Sequence, residues 1–193
     1  MNKIFIDGGA HKGESLKAFL TYYPDDPRSY DVYSFEANPI LIDNLQDIVK
    51  GTGIELIEKA IWTGDGYIDF YSGASYSGTL MRNKTTGNLD INNPVSVESI
   101  DFSKWVKDTF SDDDYIILKL DIEGGEYDVL EKMIDDGNIK YIDKLYVEWH
   151  AGKLDGFDMK RHDKLIEVLN DEYNLEPKYW WANKILREKR FSE

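Results

Sequence analysis

Five ionisable residues stand where apolar runs of this chain end. Asp7 follows residues 3–6, Glu36 follows 31–35, Asp121 follows 115–120, and Glu148 and His150 close the run 141–149. Carboxylates and an imidazole can take protons, hold hydroxyl or ammonium groups, and ligate hard cations. His150 titrates near neutrality and is the better base on that ground, with Asp121 the alternative. Asp121, Glu148 and His150 also make an O/O/N donor set suited to Mg or Mn, to which Glu123 or Glu126 could add a carboxylate. Two apart on one strand, Glu148 and His150 would share a face, which equally suits a hydrogen-bonded pair without metal. Any of this chemistry needs a fold that gathers the five.

The elements that must do so alternate between strand and helix patterns. Residues 3–7 read as a buried strand, followed by a helix with Leu16, Phe19, Leu20 and Tyr23 on one face. Residues 31–36 form a second strand. Asn38 and Pro39 then start a helix, a capping side chain followed by a first-turn proline. A third strand is expected at 54–58 and a half-exposed one at 67–71. The polar stretch 72–94 is long for a loop inside a compact domain, and it reads as a lid or acceptor loop, or as a surface excursion. A strand at 95–100, a helix at 101–110 and a strand at 115–120 interrupted by Lys119 follow. Next comes a helix burying Val129, Leu130, Met133 and Ile134 that stops near Asp136 and Gly137. The strand 141–149 precedes a helix capped by Asp158 and carrying Leu165, Ile166 and Leu169. Segments 175–181 and 184–191 look like a closing hairpin. This predicts one α/β domain spanning 1–193, with a mostly parallel sheet and helices on both faces. Its ligand edge lies at the C-terminal strand ends, which brings the five ionisable residues together.

The first strand turns on Gly8, Gly9, Ala10, His11, Lys12 and Gly13 before its helix begins. Glycines allow a tight turn against a ligand, and the helix start offers unpaired N–H groups. Two phosphate-binding patterns fail here. Gly8 and Gly13 have the spacing of a phosphate loop, yet Glu14 stands where that loop needs lysine. The spacing G-x-G-x-x-G of dinucleotide sites is absent. A pyrophosphate would face Asp7 and Glu14 with only Lys12 to offset them. S-adenosylmethionine (SAM), which has no phosphate and carries a sulfonium and an ammonium, suits the loop better. Asp7 would offer its carboxylate to a cationic group, and Glu36, at the end of the second strand, would accept from ribose hydroxyls.

With 193 residues the chain can build a substantial core as one domain. Its net charge of −14 argues against a nucleic-acid partner. No apolar run is long enough to span a bilayer, and no basic-then-apolar leader precedes the first strand. The chain lacks cysteine, which fits a reducing compartment, so a soluble cytoplasmic protein is expected. Nothing in the sequence marks an oligomeric state.

Three spaced motifs carry a family resemblance: Asp7-x-Gly9-Ala10-x-x-Gly13, Phe35-Glu36-Ala37-Asn38-Pro39, and Leu118-Lys119-Leu120-Asp121-Ile122-Glu123-Gly124-Gly125-Glu126. Together they resemble the FkbM family of SAM-dependent O-methyltransferases over about residues 4–150. His11 stands where that family usually has asparagine, and Ala37 and Gly125 replace residues that are often proline and alanine. The resemblance implies a class I, Rossmann-like sheet of seven strands ending in an antiparallel hairpin. It implies SAM contacts along Asp7, Gly8, Gly9, Ala10, His11, Gly13 and Ser15, at Glu36, Ala37 and Asn38, and at Asp121. By the same resemblance Ala60, Ile61 and Trp62 lie near the adenine, and Ser77-Gly78-Thr79-Leu80 matches a small-residue motif. The expected reaction is methyl transfer to a hydroxyl of a sugar, a glycan or a related small molecule. Such a hydroxyl needs activation by His150, Asp121 or Glu148, or by a metal on Asp121, Glu148 and His150. Tyr71, Tyr76, Trp149, Trp180 and Trp181 could stack on sugar rings, with Ser75, Ser77, Thr79 and Asn83 bonding hydroxyls. A nicotinamide-dependent oxidoreductase and a SAM-binding module without catalysis are the rival readings.

Overall fold

The computed structural model describes residues 1–23 and 25–180. In chain order, β1 (Lys3–Gly8) leads to α1 (Glu14–Tyr22), and β2 (Tyr30–Phe35) to α2 (Ile42–Val49). Then come β3 (Glu55–Ile57), β4 (Ala60–Trp62), β5 (Gly66–Ser72), β6 (Gly78–Thr79) and β7 (Val95–Asp101). The chain continues through α3 (Phe102–Thr109), β8 (Tyr115–Leu120), α4 (Glu126–Asp135), β9 (Lys144–Val147) and α5 (Met159–Asp171).

The main sheet has the order β3-β2-β1-β8-β9, and all its pairings are parallel. Parallel strands must be covered on both faces, and the alternation of side chains along β1 shows how this is done. Ile4 and Ile6 join a core with Phe102 and Val106 of α3, Leu130 and Met133 of α4, and Leu165 and Leu169 of α5. Phe5 points the other way, into a cluster with Leu16 and Phe19 of α1 and with Trp180. The central strands β1 and β8 therefore end beneath a common edge, where their loops meet.

Short polar side chains start the helices. Asp101 accepts from the Lys104 N–H at the start of α3, and Asp158 accepts from Lys160 N–H at the start of α5. Asn38 caps a 3-10 turn, Pro39–Leu41, that runs into α2. α1 lacks such a cap and starts from left-handed Gly13 (φ 78°), where an added Cβ would lie 3.0 Å from Ile48 Cδ1.

Two expectations need correction. The strand 141–149 is shorter, because Ile139–Tyr141 forms a 3-10 turn and β9 ends at Val147. Glu148 and His150 thus do not share a strand face. Second, the main sheet has five strands among the described residues rather than seven. β4, β7, β5 and β6 form a separate four-stranded sheet in which β5 runs antiparallel to its neighbours. The described part of the expected hairpin meets β9 through a parallel bridge between Tyr146 and Lys178. Residues 181–193, on which the expected second strand and Trp181 fall, lie outside the described residues.

Candidate active site

The glycine loop lies against the end of β2. The Gly9 and Ala10 N–H groups both donate to Phe35 O, at 3.1 and 3.0 Å. Gly9 has φ 84°, and a Cβ there would fall 2.0 Å from Asp121 O, so only glycine lets the loop pass the end of β8 this closely. His11 takes the left-handed region at φ 52° and directs its N–H to Glu36 Oε2 at 2.7 Å. The other Glu36 oxygen accepts from Asn38 N–H at 2.7 Å. Burial pushes the Glu36 carboxyl up, the two backbone donors pull it down, and the net shift is upward.

Asp7 is placed differently from its expected role. It is fully buried, accepts the Ser15 hydroxyl at 2.6 Å, and pairs with Lys119 Nζ at 3.1 Å. Lys119 also donates to Gly9 O at 2.8 Å and approaches Asp121 at 3.8 Å. The lysine that interrupts β8 thus ties the glycine loop to two acids. Burial lowers its pKa, but Asp7 and Asp121 outweigh that and leave it above the ordinary value.

A cavity of about 470 Å³ opens above these strand ends, within the usual size of a small-molecule site. Of the residues expected at a cofactor, Gly9, Ala10, His11, Ser15, Glu36, Ala37, Asn38, Ala60, Ile61 and Asp121 line it. Asp7, Gly8, Gly13 and Trp62 do not. Gly8 and Gly13 shape the backbone, and Trp62 packs against the core beneath Gly125. Glu14, Glu123 and Glu148 also line the cavity, which makes its wall acidic against Lys12, Lys59 and Lys119.

At the far end, β8 releases Asp121 into a turn through Glu123 (φ 60°) and Gly124 (φ 122°) before α4 begins. The first residue of α4, Glu126, is fully buried and folds back over that turn. Its Oε1 accepts from Ile122 N–H at 2.9 Å, from Gly124 N–H at 3.2 Å and from the His150 ring at 3.0 Å. That leaves His150 Nε2 facing three carboxylates: Glu123 at 3.2 Å, Asp121 at 3.8 Å and Glu148 at 3.9 Å. His150 is 1% exposed and sits behind the cavity wall rather than on it. Burial lowers its pKa, but the Glu126 hydrogen bond and the surrounding carboxylates raise it further, so the net shift is upward. Burial lifts Asp121 to about 6, against the pull of Lys119. Glu123 is held below its ordinary value because Lys84 and His150 outweigh its burial.

The segment 72–94 is built onto this site. Thr79 Oγ1 donates to Glu123 O at 2.7 Å, and the buried Lys84 ammonium lies 2.8 Å from the Glu123 carboxylate. Asn83 donates to Asp155 O and Thr85 N–H to Lys153 O, both at 2.8 Å. Thr79 and Asn83, expected as acceptor contacts, thus each donate to a backbone carbonyl. Tyr76, Ser77, Gly78 and Leu80 do line the cavity. Lys12 Nζ stands 4.5 Å from the Tyr76 ring centroid. The other expected aromatic contacts among the described residues are elsewhere. Trp180 is buried against Phe5 and Tyr146, Trp149 packs on Tyr127 and His162, and Tyr71 is buried.

Lys119 and Lys84 were missed as site residues. A lysine in an apolar central strand is a legible signal, since it must find partners when buried. Lys84 lies in a polar loop and carries no such signal.

A parallel sheet in the order β3-β2-β1-β8-β9, with an acid-lined cleft at its C-terminal edge, defines an open α/β, Rossmann-like ligand-binding domain. The family model for the methyltransferase FkbM domain matches residues 7–174, and the chain belongs to that methyltransferase family. No curated protein and no solved structure matches the chain. Among the described residues no helix is long and apolar enough to cross a membrane.

Proposed function

We propose that the protein is a SAM-dependent O-methyltransferase acting on a hydroxyl of a sugar, glycan or related small molecule. The observation that carries this reading is the Glu36 carboxylate, held at the cavity wall by two backbone N–H groups. Each oxygen uses one lone pair on those donors and keeps another for ribose hydroxyls, so the residues present fit the cofactor. Ala60, Ile61, Phe70 and Leu80 offer an apolar wall for a purine, and Asp121 a carboxylate for an ammonium. The acidic lining favours a cofactor with positive charge over one with a pyrophosphate.

Bound SAM supplies a methyl group on a sulfonium. Bound there, it would give that methyl to the acceptor oxygen and keep the C–S electron pair on sulfur. The hydroxyl proton passes to a carboxylate of the cluster, for which Asp121 is placed best. Held near pKa 6, it is ionised at neutral pH and still basic enough to help. His150 is the less well placed base, since it lies buried behind the cavity wall. Tyr76 and Ser77, at the cavity rim, are the polar and aromatic contacts we assign to the acceptor.

Calorimetry with SAM, S-adenosylhomocysteine and NAD tests the cofactor, and labelled SAM with a panel of sugars, deoxy-sugars and glycans tests the acceptor. SAM binding with label transfer to a hydroxyl is expected. NAD binding without SAM binding would point to an oxidoreductase. SAM binding without turnover on any acceptor would point to a binding module.

A further inference from the structure

The His150 pocket has a feature that proton transfer does not use. Ligand atoms of Asp121, Glu123 and His150 all lie within 4.8 Å of one another. His150 is nine-tenths buried and more, and its Nε2 has no hydrogen-bond partner of good geometry among the described residues. That nitrogen points into the cluster because the opposite one, Nδ1, is held by Glu126. Glu126 is in turn locked by two backbone N–H groups. A buried carboxylate that fixes one ring nitrogen and aims the other is the arrangement that orients an imidazole toward a metal.

Glu123 is the second sign. A non-glycine residue at φ 60° is uncommon, and at Glu123 this conformation turns the carboxylate toward Nε2. The nearby lysines do not complete the site. Lys119 is engaged with Asp7 and the glycine-loop carbonyls, and Lys84 Nζ lies 2.8 Å from Glu123 Oε2, the oxygen that also faces His150 Nε2.

We infer that Asp121, Glu123 and His150 form a binding site for a hard divalent cation of the Mg or Mn type, with Glu126 as its outer orienting residue. Two carboxylate oxygens and one imidazole suit such an ion, and Glu148 stands near enough to add a further oxygen. This differs from the set expected from spacing, because Glu123 takes the central place given to Glu148. The binding site stands without reference to the reaction. Its role rests on the methyl-transfer reading: the cation takes the acceptor oxygen and makes the hydroxyl more acidic. Asp121 is then a ligand, and the proton passes to Glu148, which lines the cavity.

The test is Mn²⁺ binding to the EDTA-treated full chain, followed by calorimetry and by the Mn²⁺ EPR signal, with Mg²⁺ as competitor. One bound Mn²⁺ per chain is expected. Glu126→Gln should weaken it about 10–100-fold, the usual loss when an outer partner is removed. Glu123→Gln and His150→Ala should weaken it more, with circular dichroism reporting whether each variant folds. In activity assays EDTA should abolish methylation and Mn²⁺ restore it, while SAM affinity stays unchanged. Absence of Mn²⁺ binding, or binding that survives Glu123→Gln, overturns the cation site. Methylation that continues in EDTA overturns its role. Mn²⁺ binding without any SAM binding would keep the site and overturn the proposed function.

Discussion

At the glycine-loop edge of the cavity the acids are satisfied by the fold itself. Glu36 holds two backbone N–H groups, and Asp7 holds a serine hydroxyl and a lysine. Around His150 the carboxylates gather on a nitrogen instead. Asp121, Glu123 and Glu148 converge on one imidazole nitrogen at 3.2–3.9 Å, and that nitrogen has no well-formed hydrogen bond among the described residues. Buried polar groups without partners are costly, so they persist where a ligand or a reaction uses them. The contrast separates an edge built to hold a shape from an edge built to change its protonation or its ligands.

The sharpest way to break this contrast is to remove a group from each edge. Asp121→Asn should lower single-turnover methyl transfer at saturating SAM by about 10²–10⁴-fold, the range of a lost general base, and by a comparable amount where its carboxylate holds the cation instead. Turnover close to wild type would take Asp121 out of the reaction. On the structural side, Lys119→Met leaves Asp7 as a buried, unpaired charge and should cost about 3–5 kcal/mol in urea denaturation. Adding Asp7→Asn to that variant should recover much of the loss. A single variant as stable as wild type would mean that the pair does not hold the loop.

Glu36→Ala tests the boundary between holding shape and holding ligand. It should reduce SAM affinity by about 1–3 kcal/mol, read by calorimetry, because a hydrogen bond to a charged group is lost. The smallest effect lies at the loop's outer face, where His11 Nδ1 is 3.4 Å from Glu14. That contact raises His11 above its ordinary 6.5 and, chiefly through the same hydrogen bond, lowers Glu14 from 4.5 to about 2. For His11 the stabilisation is complete below pH 6.5 and is lost as pH rises through its higher folded value. For Glu14 it is complete above pH 4.5 and is lost toward pH 2. The pair should therefore contribute most between pH 4.5 and 6.5, and less than about 1 kcal/mol because both groups are partly exposed. A His11 NMR titration midpoint at or below 6.5 would contradict the pairing.

Much of the frame was legible in residue patterns. The apolar runs ending in Asp7, Glu36 and Asp121 marked three neighbouring strand ends. Gly9 and Gly13 marked positions that a Cβ would obstruct, and Asn38, Asp101 and Asp158 marked helix starts. These are local signals, carried by side-chain periodicity and backbone stereochemistry. The bounds of β9 were not legible, because Tyr141 and Trp149 are aromatic enough to extend the strand pattern in both directions. The backbone leaves the sheet wherever its neighbour β8 ends, and Tyr141 and Trp149 do not record that. The polar stretch 72–94 gave no indication that Lys84 and Thr79 would be held by Glu123, 39 and 44 residues away.

By itself the sequence determined the class of the fold, the ligand edge and the family, since each rests on spacing within short segments. Only the tertiary structure decided which acids hold the glycine loop and which gather on the imidazole. Asp7, whose position in sequence suggested a ligand contact, is neutralised by a lysine 112 residues further on. Glu126 turned out to orient His150 rather than to sit beside it as an equal donor. Glu123 reached the centre of the cluster through a left-handed turn. A carboxylate's role depends on the few ångströms around its oxygens, and in a parallel sheet those ångströms are filled by residues far away in the chain.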